Sequence, residues 1–312
     1  MTTAVAVADA ERILRDEGVG SVRTDIALAP FTSFRIGGPA ALLVEAERVA
    51  DLRAVAAAVA RTGVPWFVLG KGSNVLVADQ GFPGLVIHLG KGFRWIEHSG
   101  STLRAGAATA LPTVANAALA AHLVGLEFGV SIPGSVGGAV RMNAGAHASS
   151  MSDVLEEIEV FSLRDGRTDR MTATDAGFAY RHSELPEGSL VVSVSVALTP
   201  GEEPEIRRLM DEARRWRRAT QPLAEANCGS VFTNPPGDHA ARLVEASGSK
   251  GLSVGGASVS DKHANFIVAQ PGTTAADVRR LIELVRERVR SAFGVTLETE
   301  VRLVGAVDPS AA

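Results

Sequence analysis

Residues 129–146 read Gly129-Val130-Ser131-Ile132-Pro133-Gly134-Ser135-Val136-Gly137-Gly138-Ala139-Val140-Arg141-Met142-Asn143-Ala144-Gly145-Ala146. Glycines threaded this densely with small apolar residues suit neither a disordered linker nor a packed helix. They suit a backbone that closely approaches something flat or phosphorylated. A glycine-rich turn between strands is the plain alternative. Upstream, the short apolar strand Trp66–Leu69 runs straight into Gly70-Lys71-Gly72-Ser73-Asn74. In such a loop successive backbone N–H groups can converge, with no Cβ to keep a phosphate away, and Ser73 and Asn74 can add donors. An ordinary tight turn is again the alternative. The spacing is not the phosphate loop GxxxxGK[ST]. It is not the dinucleotide GxGxxG either, because Val75 takes the third glycine position and no helix is expected after it. Two such loops without either fingerprint suggest a pyrophosphate cofactor held mostly by main chain. FAD fits, and its own chemistry would explain why few reactive side chains are visible.

Working outward, three regions differ in texture. Residues 1–35 form a leader, with Ala4–Arg15 as a short helix and Val19–Phe34 as an extended entry. Residues 36–203 alternate strands with glycine-rich turns. Helices are expected at Arg48–Arg61, stopped by Gly63 and Pro65, and at Leu111–Leu123. Strands are expected at Trp66–Leu69, Leu85–Leu89, Ser101–Ala107, Ile158–Leu163 and Leu190–Leu198. After the break Gly201–Pro204, residues 204–305 change character. Glu205–Thr220 is amphipathic, with Ile206, Leu209, Met210, Ala213 and Trp216 on one stripe and six arginines opposite. Asp238 is the expected N-cap of a helix His239–Ser247 that Gly248 stops. Asp277–Phe293 repeats apolar residues at helical spacing, and Thr296–Val304 alternates as a strand. Residues 306–312 are expected to be a frayed tail.

Composition narrows the function. A length of 312 residues suggests about two domains. The balance of 31 Lys+Arg against 35 Asp+Glu lacks the basic excess a general nucleic-acid binder needs. Cys228 is the single cysteine, so no intrachain disulfide or multi-cysteine zinc site can form, and a reducing compartment fits. No apolar run reaches the roughly 18 residues of a spanning helix. Met1–Asp16 carries Asp9, Glu11 and Asp16 and lacks the pattern of a secretory signal. The expectation is a soluble cytoplasmic protein with no membrane or nucleic-acid partner. The seven histidines show no HxxxH pair, so no metal site is expected.

Few side chains stand out as chemical candidates. Arg181, in Tyr180-Arg181-His182-Ser183, can clamp a carboxylate bidentately, or form a surface ion pair. Ser230, in Asn227-Cys228-Gly229-Ser230-Val231-Phe232, lacks the GxSxG elbow of a hydrolase nucleophile. It can still give a proton to a carbanion in a dry site. Cys228 fits a small buried hydrophobe. Glu298, Glu300 and Arg302 share one face of the last expected strand, either solvated or facing a cleft. His263 could contact a ligand, and Lys71, Lys250 and Lys262 could contact phosphate, although a solvated loop lysine is the plainer reading of each.

Together these segments resemble the UDP-N-acetylenolpyruvoylglucosamine reductases, the MurB family of peptidoglycan synthesis. The matching motifs run in order from Thr32-Ser33-Phe34-Arg35-Ile36-Gly37-Gly38 through Leu69–Val77 and Ile132–Gly145 to Tyr180–Ser183, then Gly229–Pro235, Val259–Ile267 and Phe293–Val301 with Gly305. They span about residues 30–305. The resemblance implies an α+β fold. A leader at 1–35 would pack on a two-lobed FAD-binding region of the vanillyl-alcohol-oxidase (PCMH) type at 36–203, followed by an α+β substrate domain at 204–305.

The implied reaction is a relay. NADPH reduces FAD, which then reduces the enolpyruvyl double bond of UDP-N-acetylglucosamine-enolpyruvate to UDP-N-acetylmuramate, serving cell-wall synthesis, cell shape and division. By position, Ser230 matches the proton donor, Arg181 the carboxylate-binding arginine and Glu300 the active-site glutamate. The implied cofactor contacts are Gly70, Lys71, Gly72, Ser73, Asn74, Ile132, Pro133, Gly134, Ser135, Gly137, Gly138, Ala139, Asn143, Gly145 and Arg302. The implied substrate contacts are Tyr180, Arg218, Gln221, Asn234 and Lys262. Two departures are Cys228, where the family usually has Ala, and His147-Ala148, where it usually has an aromatic residue and Gly; neither is expected to change the chemistry. With one tyrosine in the chain, the branch without an inserted tyrosine-bearing loop fits, and how it closes over its nucleotide stays open. A monomer is the working expectation, and the preference for NADPH over NADH is not set by the residues. The alternatives are another FAD oxidoreductase of the same fold, or a non-catalytic flavin-binding paralogue.

Overall fold

A computed structural model describes residues 2–305, so the expected tail at 306–312 lies outside the described residues. The chain divides into two compact units, each discontinuous in sequence. The first holds residues 2–24, Ala41–Lys71 and Pro83–Arg217; the second holds Asp25–Ala40, Gly72–Phe82 and residues 218–305. Each has its own apolar core. The mixture of sheets and helices is α+β.

The first unit carries two main sheets. One is four-stranded, in the order Val22–Ala27, Pro39–Ala46, Phe82–Leu89, Trp66–Val68. Its last pair is parallel, with Trp66–Val68 in register with Leu85–Ile87. The connection between that pair passes through the glycine loop at 70–74, so the loop emerges from the carboxyl end of a parallel edge strand whose residues are half-buried or exposed. The other sheet is five-stranded and antiparallel, in the order Thr168–Thr172, Leu155–Ser162, Ser189–Ala197, Thr102–Gly106, Ile96–Ser99. Ile158 and Val160 alternate with Glu157 and Glu159, and Phe161 is buried as well beyond a register shift. Seven successive residues of Ser189–Ala197 are buried, and the buried Ser193 hydroxyl donates to Glu159 at 2.7 Å. Helix Val49–Thr62 runs close to its expected bounds and stops where Gly63 turns left-handed at φ 62°.

The second unit is built on helix Ala275–Phe293. Val278, Leu281, Ile282, Val285 and Val289 recur every three or four residues, and all are buried. The helix starts two residues before the expected Asp277. Thr274 and Asp277 form a reciprocal capping box at 3.0–3.1 Å, and the Asp79 carboxylate takes the N–H groups of Ala275 and Ala276 at 2.7 and 3.0 Å. A three-stranded antiparallel sheet, in the order Ser253–Val254, Ala257–Val259, Ile267–Ala269, packs on this helix.

Several local expectations need correction. Leu111–Leu123 is helical only through Ala120. His122 then takes φ 56°, and Leu123–Val124 pairs instead with Thr199–Pro200. The 129–146 stretch does contain a helix, Val136–Arg141, with the Ser135 hydroxyl accepting the Gly138 N–H at 3.3 Å. The N-cap position of helix Ala240–Ala246 is His239, not Asp238. Asp238 accepts the His239 N–H, while Asn234 accepts the Ala240 N–H. Thr296–Val304 is not one strand. Only Arg302–Val304 is regular, and it pairs in parallel with Val75–Val77. Leu297 and Val301 are buried as the alternation expects, but Leu303 is exposed. Trp216, at the end of the amphipathic stripe of helix Glu203–Thr220, is also exposed.

Phe161 is among the largest fully buried side chains, near the end of the second strand of the five-stranded sheet. Phe161→Ala should lower stability by about 3–5 kcal/mol, read as an earlier midpoint in urea unfolding; an unchanged midpoint would contradict this assignment of the core.

Candidate active site

In the first unit the two glycine loops meet. A Cβ on Gly70 would lie 2.8 Å from the Ser135 hydroxyl. Ser135 is also the N-cap of the short helix. The helix's own first N–H groups are already bonded: Val136 donates to Thr109 O, Gly137 to Ala107 O and Gly138 to Ser135 Oγ. The donors left over lie before it. Among the described residues, the N–H groups of Gly134 and Ser135 have no protein acceptor, nor do those of Gly70 and Lys71. This suits a ligand rich in phosphate oxygens. Three further glycines of this stretch make close approaches within the protein. A Cβ would lie 3.1 Å from Leu111 at Gly129, 3.0 Å from Ala107 at Gly137 and 2.5 Å from Ser149 O at Gly145.

Arg181 sits at the tip of a two-residue turn closed by reciprocal bonds between Ala179 and His182, at 3.1 Å each. It takes a left-handed φ of 56°, donates to Gly145 O at 3.0 Å and lies 5.1 Å from the Tyr180 ring centre. Both ends of the Asn143 carboxamide are engaged by protein. Nδ2 donates to Ala179 O and Oδ1 accepts from Ser152 N, each at 3.0 Å, so this buried side chain braces the turn that presents Arg181. Tyr180 is exposed. The His147-Ala148 pair forms the tip of the Gly145–Ala146/Ser149–Ser150 hairpin, with φ of 53° and 61°. His147 rests edge-on against Trp216 at 5.2 Å. A two-residue hairpin turn demands this left-handed backbone, which costs less with glycine.

In the second unit a short main-chain ladder brings Ser230 and Glu300 together. Glu300 N donates to Val231 O at 2.8 Å, Thr233 N donates to Glu298 O at 3.0 Å, and Phe232 bridges Thr299. Ser230 is half-buried, and its hydroxyl makes no hydrogen bond among the described residues. Gly229, at φ 80°, makes the bend before it. Loop residues 72–74 belong to the same unit. Asn74 Nδ2 donates to Glu300 O, Arg302 N donates to Asn74 O, and a Cβ on Gly72 would fall 2.0 Å from Phe31 O. Among the described residues, the N–H groups of Gly72, Ser73 and Asn74 also lack a protein acceptor, extending the run begun at Gly70. Burial pushes the Cys228 thiol up strongly, and the Glu300 charge adds to it.

Other sequence candidates have structural duties. Lys262 Nζ donates to the Arg218 carbonyl, and the Asn234 carboxamide oxygen holds a helix N–H. Arg218 and Arg302 are exposed, and Gln221 is half-buried. His263, expected as a possible ligand contact, is half-buried and edge-on to Phe266, with Nδ1 accepting the Asn265 N–H. Burial lowers its pKa, favouring the neutral ring. Asn265 escaped the sequence reading. The signal available was a polar residue between Ala264 and Phe266 in an otherwise apolar run.

Comparison with known proteins settles the family. Residues 40–172 match an FAD binding domain, and residues 221–304 match the C-terminal domain of UDP-N-acetylenolpyruvoylglucosamine reductase. A UDP-N-acetylenolpyruvoylglucosamine reductase of Anaeromyxobacter sp. is 47% identical over 96% of this chain and 92% of its own. The chain belongs to the UDP-N-acetylenolpyruvoylglucosamine reductase family. The crystal structure of a family member from Thermus caldophilus superposes with a TM-score of 0.80 at 38% identity, covering 91% of this chain and all of that one. A variant of Phl p 4, a glucose oxidase, shares the fold alone, at a TM-score of 0.51 and 14% identity over 62% of this chain and 44% of that one. This is the vanillyl-alcohol-oxidase type of flavoprotein fold that the sequence implies. The chain is accordingly an FAD-dependent oxidoreductase of peptidoglycan precursor synthesis. The run of unpaired N–H groups and the glycine whose Cβ would press on Ser135 fit a cofactor of this kind. Among the described residues, no helix is long and apolar enough to cross a membrane.

Gly70→Ala should reduce FAD content at least about tenfold, because the new methyl displaces the Ser135 hydroxyl from its capping position. Flavin absorbance per protein after desalting measures it, and full occupancy would show that the contact does not shape the cradle. Cys228, buried with its thiol held protonated, should resist disulfide-exchange reagents in the native protein and react on unfolding. Rapid native labelling would contradict the burial.

Proposed function

We propose that Arg181, Ser230 and Glu300 carry the reduction of UDP-N-acetylglucosamine-enolpyruvate to UDP-N-acetylmuramate, with NADPH as reductant. The observation that carries the reading is the Ser230 hydroxyl, half-buried and without a hydrogen bond among the described residues, next to Val231, whose carbonyl accepts the Glu300 N–H. FAD, when bound, supplies the hydride chemistry, accepting a hydride from NADPH and passing one to the alkene. The chain's residues manage charge and protons. Reducing an enol ether conjugated to a carboxylate builds negative charge on the carbon that bears the carboxylate and on its oxygens. Arg181, already aimed by its bond to Gly145 O, binds that carboxylate and stabilises the developing charge. Ser230 Oγ delivers its proton to the carbon. Glu300 serves as the acid beside the serine and sets the polarity in which the hydroxyl works.

The cofactor is held by main chain at 70–74 and at 132–139, with Asn143, Gly145 and Arg302 completing the assigned set. Tyr180, Arg218, Gln221, Asn234 and Lys262 are assigned to the nucleotide substrate. The first-domain segment at 36–203 serves the cofactor, and 204–305 serves the substrate. The enzyme acts in the cytoplasm as a monomer. A near-neutral charge balance and the lack of an apolar spanning helix among the described residues support the location.

Ser230→Ala should keep NADPH-driven flavin bleaching while turnover of the enolpyruvyl substrate falls by about 10²–10⁴. Loss of bleaching with FAD still bound would remove Ser230 from the proton-donor role. Glu300→Gln should lower kcat strongly with an unchanged unfolding midpoint; wild-type kcat would end its assignment.

A further inference from the structure

Ser230 lies in an arch, Ala226–Phe232, whose two feet stand on one element. At the first foot Ala269 N donates to Ala226 O at 2.9 Å, from strand Ile267–Ala269. The second foot is held by Asn265, two residues before the same strand. The Asn265 carboxamide takes both polar groups of Phe232: Oδ1 accepts the Phe232 N–H at 3.0 Å, and Nδ2 donates to Phe232 O at 2.8 Å. Its own backbone carbonyl accepts the Val231 N–H at 2.9 Å. A side chain here does what a neighbouring strand would do, and it is 4% exposed. On the other side, Val231 O receives Glu300 N and Thr233 N reaches Glu298 O. The residues just after Ser230 are thus pinned from two directions, and Asn265 does so through both ends of its side chain. The Asn265 N–H bonds His263 Nδ1, which fixes the carboxamide's own backbone.

We infer that Asn265 is a positioning residue for the proposed proton donor. By clamping Phe232 at both its N–H and its C=O, it sets the direction in which the Ser230 hydroxyl points. The inference rests on the reading of Ser230 given above and adds a residue to which that reading assigns no role. An apolar residue at position 265 would leave the buried N–H and C=O of Phe232 unpaired and let the arch relax. A side chain shifted by about an ångström is enough to slow a transfer that depends on alignment.

The test is a double-variant cycle on the full-length holoenzyme, with the two half-reactions followed separately by stopped-flow flavin absorbance. Asn265→Ala should leave NADPH-driven bleaching at its wild-type rate, slow reoxidation by UDP-N-acetylglucosamine-enolpyruvate at least about tenfold, and raise the solvent deuterium isotope effect on that step. In a Ser230→Ala background the same change should alter reoxidation less than about twofold, because the group it positions is gone. Independent, multiplying losses in the double variant, or wild-type reoxidation in Asn265→Ala, would overturn the inference while leaving Ser230 in its role. Wild-type reoxidation in Ser230→Ala alone would overturn both. Should Asn265→Ala fail to fold, Asn265→Asp keeps the size and the acceptor for Phe232 N–H but loses the donor, and the same pattern must appear.

Discussion

The chemistry assigned to this chain depends on a few main-chain hydrogen bonds that tie Val231–Thr233 to Glu298–Glu300. They join two parts of the sequence far apart in number and bring the backbone of Glu300 to Val231, the neighbour of Ser230. Nothing in the local sequence around Ser230 makes it acidic, and it has no histidine partner of the hydrolase kind. The proposed role rests on a hydroxyl that is half-buried and makes no hydrogen bond among the described residues, as a donor to a carbanion must be. Cys228, two residues before Ser230, is buried beneath this arch with Val231 and Phe232 in the apolar core of the second unit.

The same logic of main chain before side chain governs the cofactor loops. Gly70 and Ser135 approach within a methyl's width, and the N–H groups of Gly70, Lys71, Gly134 and Ser135 are left without protein acceptors among the described residues. A dinucleotide with a pyrophosphate offers oxygens in the number such a cradle needs. Many glycines nearby do a humbler job. Gly129 and Gly137 let helices and strands come close, and Gly145 lets a hairpin close.

Much of this was legible in the sequence, for identifiable reasons. Helix Ala275–Phe293 announces itself by strict apolar spacing, and the strands of the five-stranded sheet by apolar runs between turns. What the sequence hid is tertiary. The strand expected at Thr296–Val304 is cut short because its partners differ along its length: Thr233 and Val231 first, then Val75–Val77. The helix Val136–Arg141 lies in a stretch that glycine content argues against, and it forms because Ser135, Thr109 and Ala107 absorb its first N–H groups. The bracing role of Asn143 and the clamp by Asn265 are silent in sequence because their value lies in which distant backbone groups they reach. The interleaving of the two units, with residues 25–40 and 72–82 joining the C-terminal part, has no local signature either.

The claim on which the account stands is that this chain, with FAD, passes reducing equivalents from NADPH to an enolpyruvyl alkene. An anaerobic visible spectrum tests it most directly. The purified protein should show an oxidised flavin band that NADPH bleaches and that UDP-N-acetylglucosamine-enolpyruvate then restores, mole for mole. A band untouched by NADPH, or one that stays bleached after the enolpyruvyl substrate is added, would contradict it.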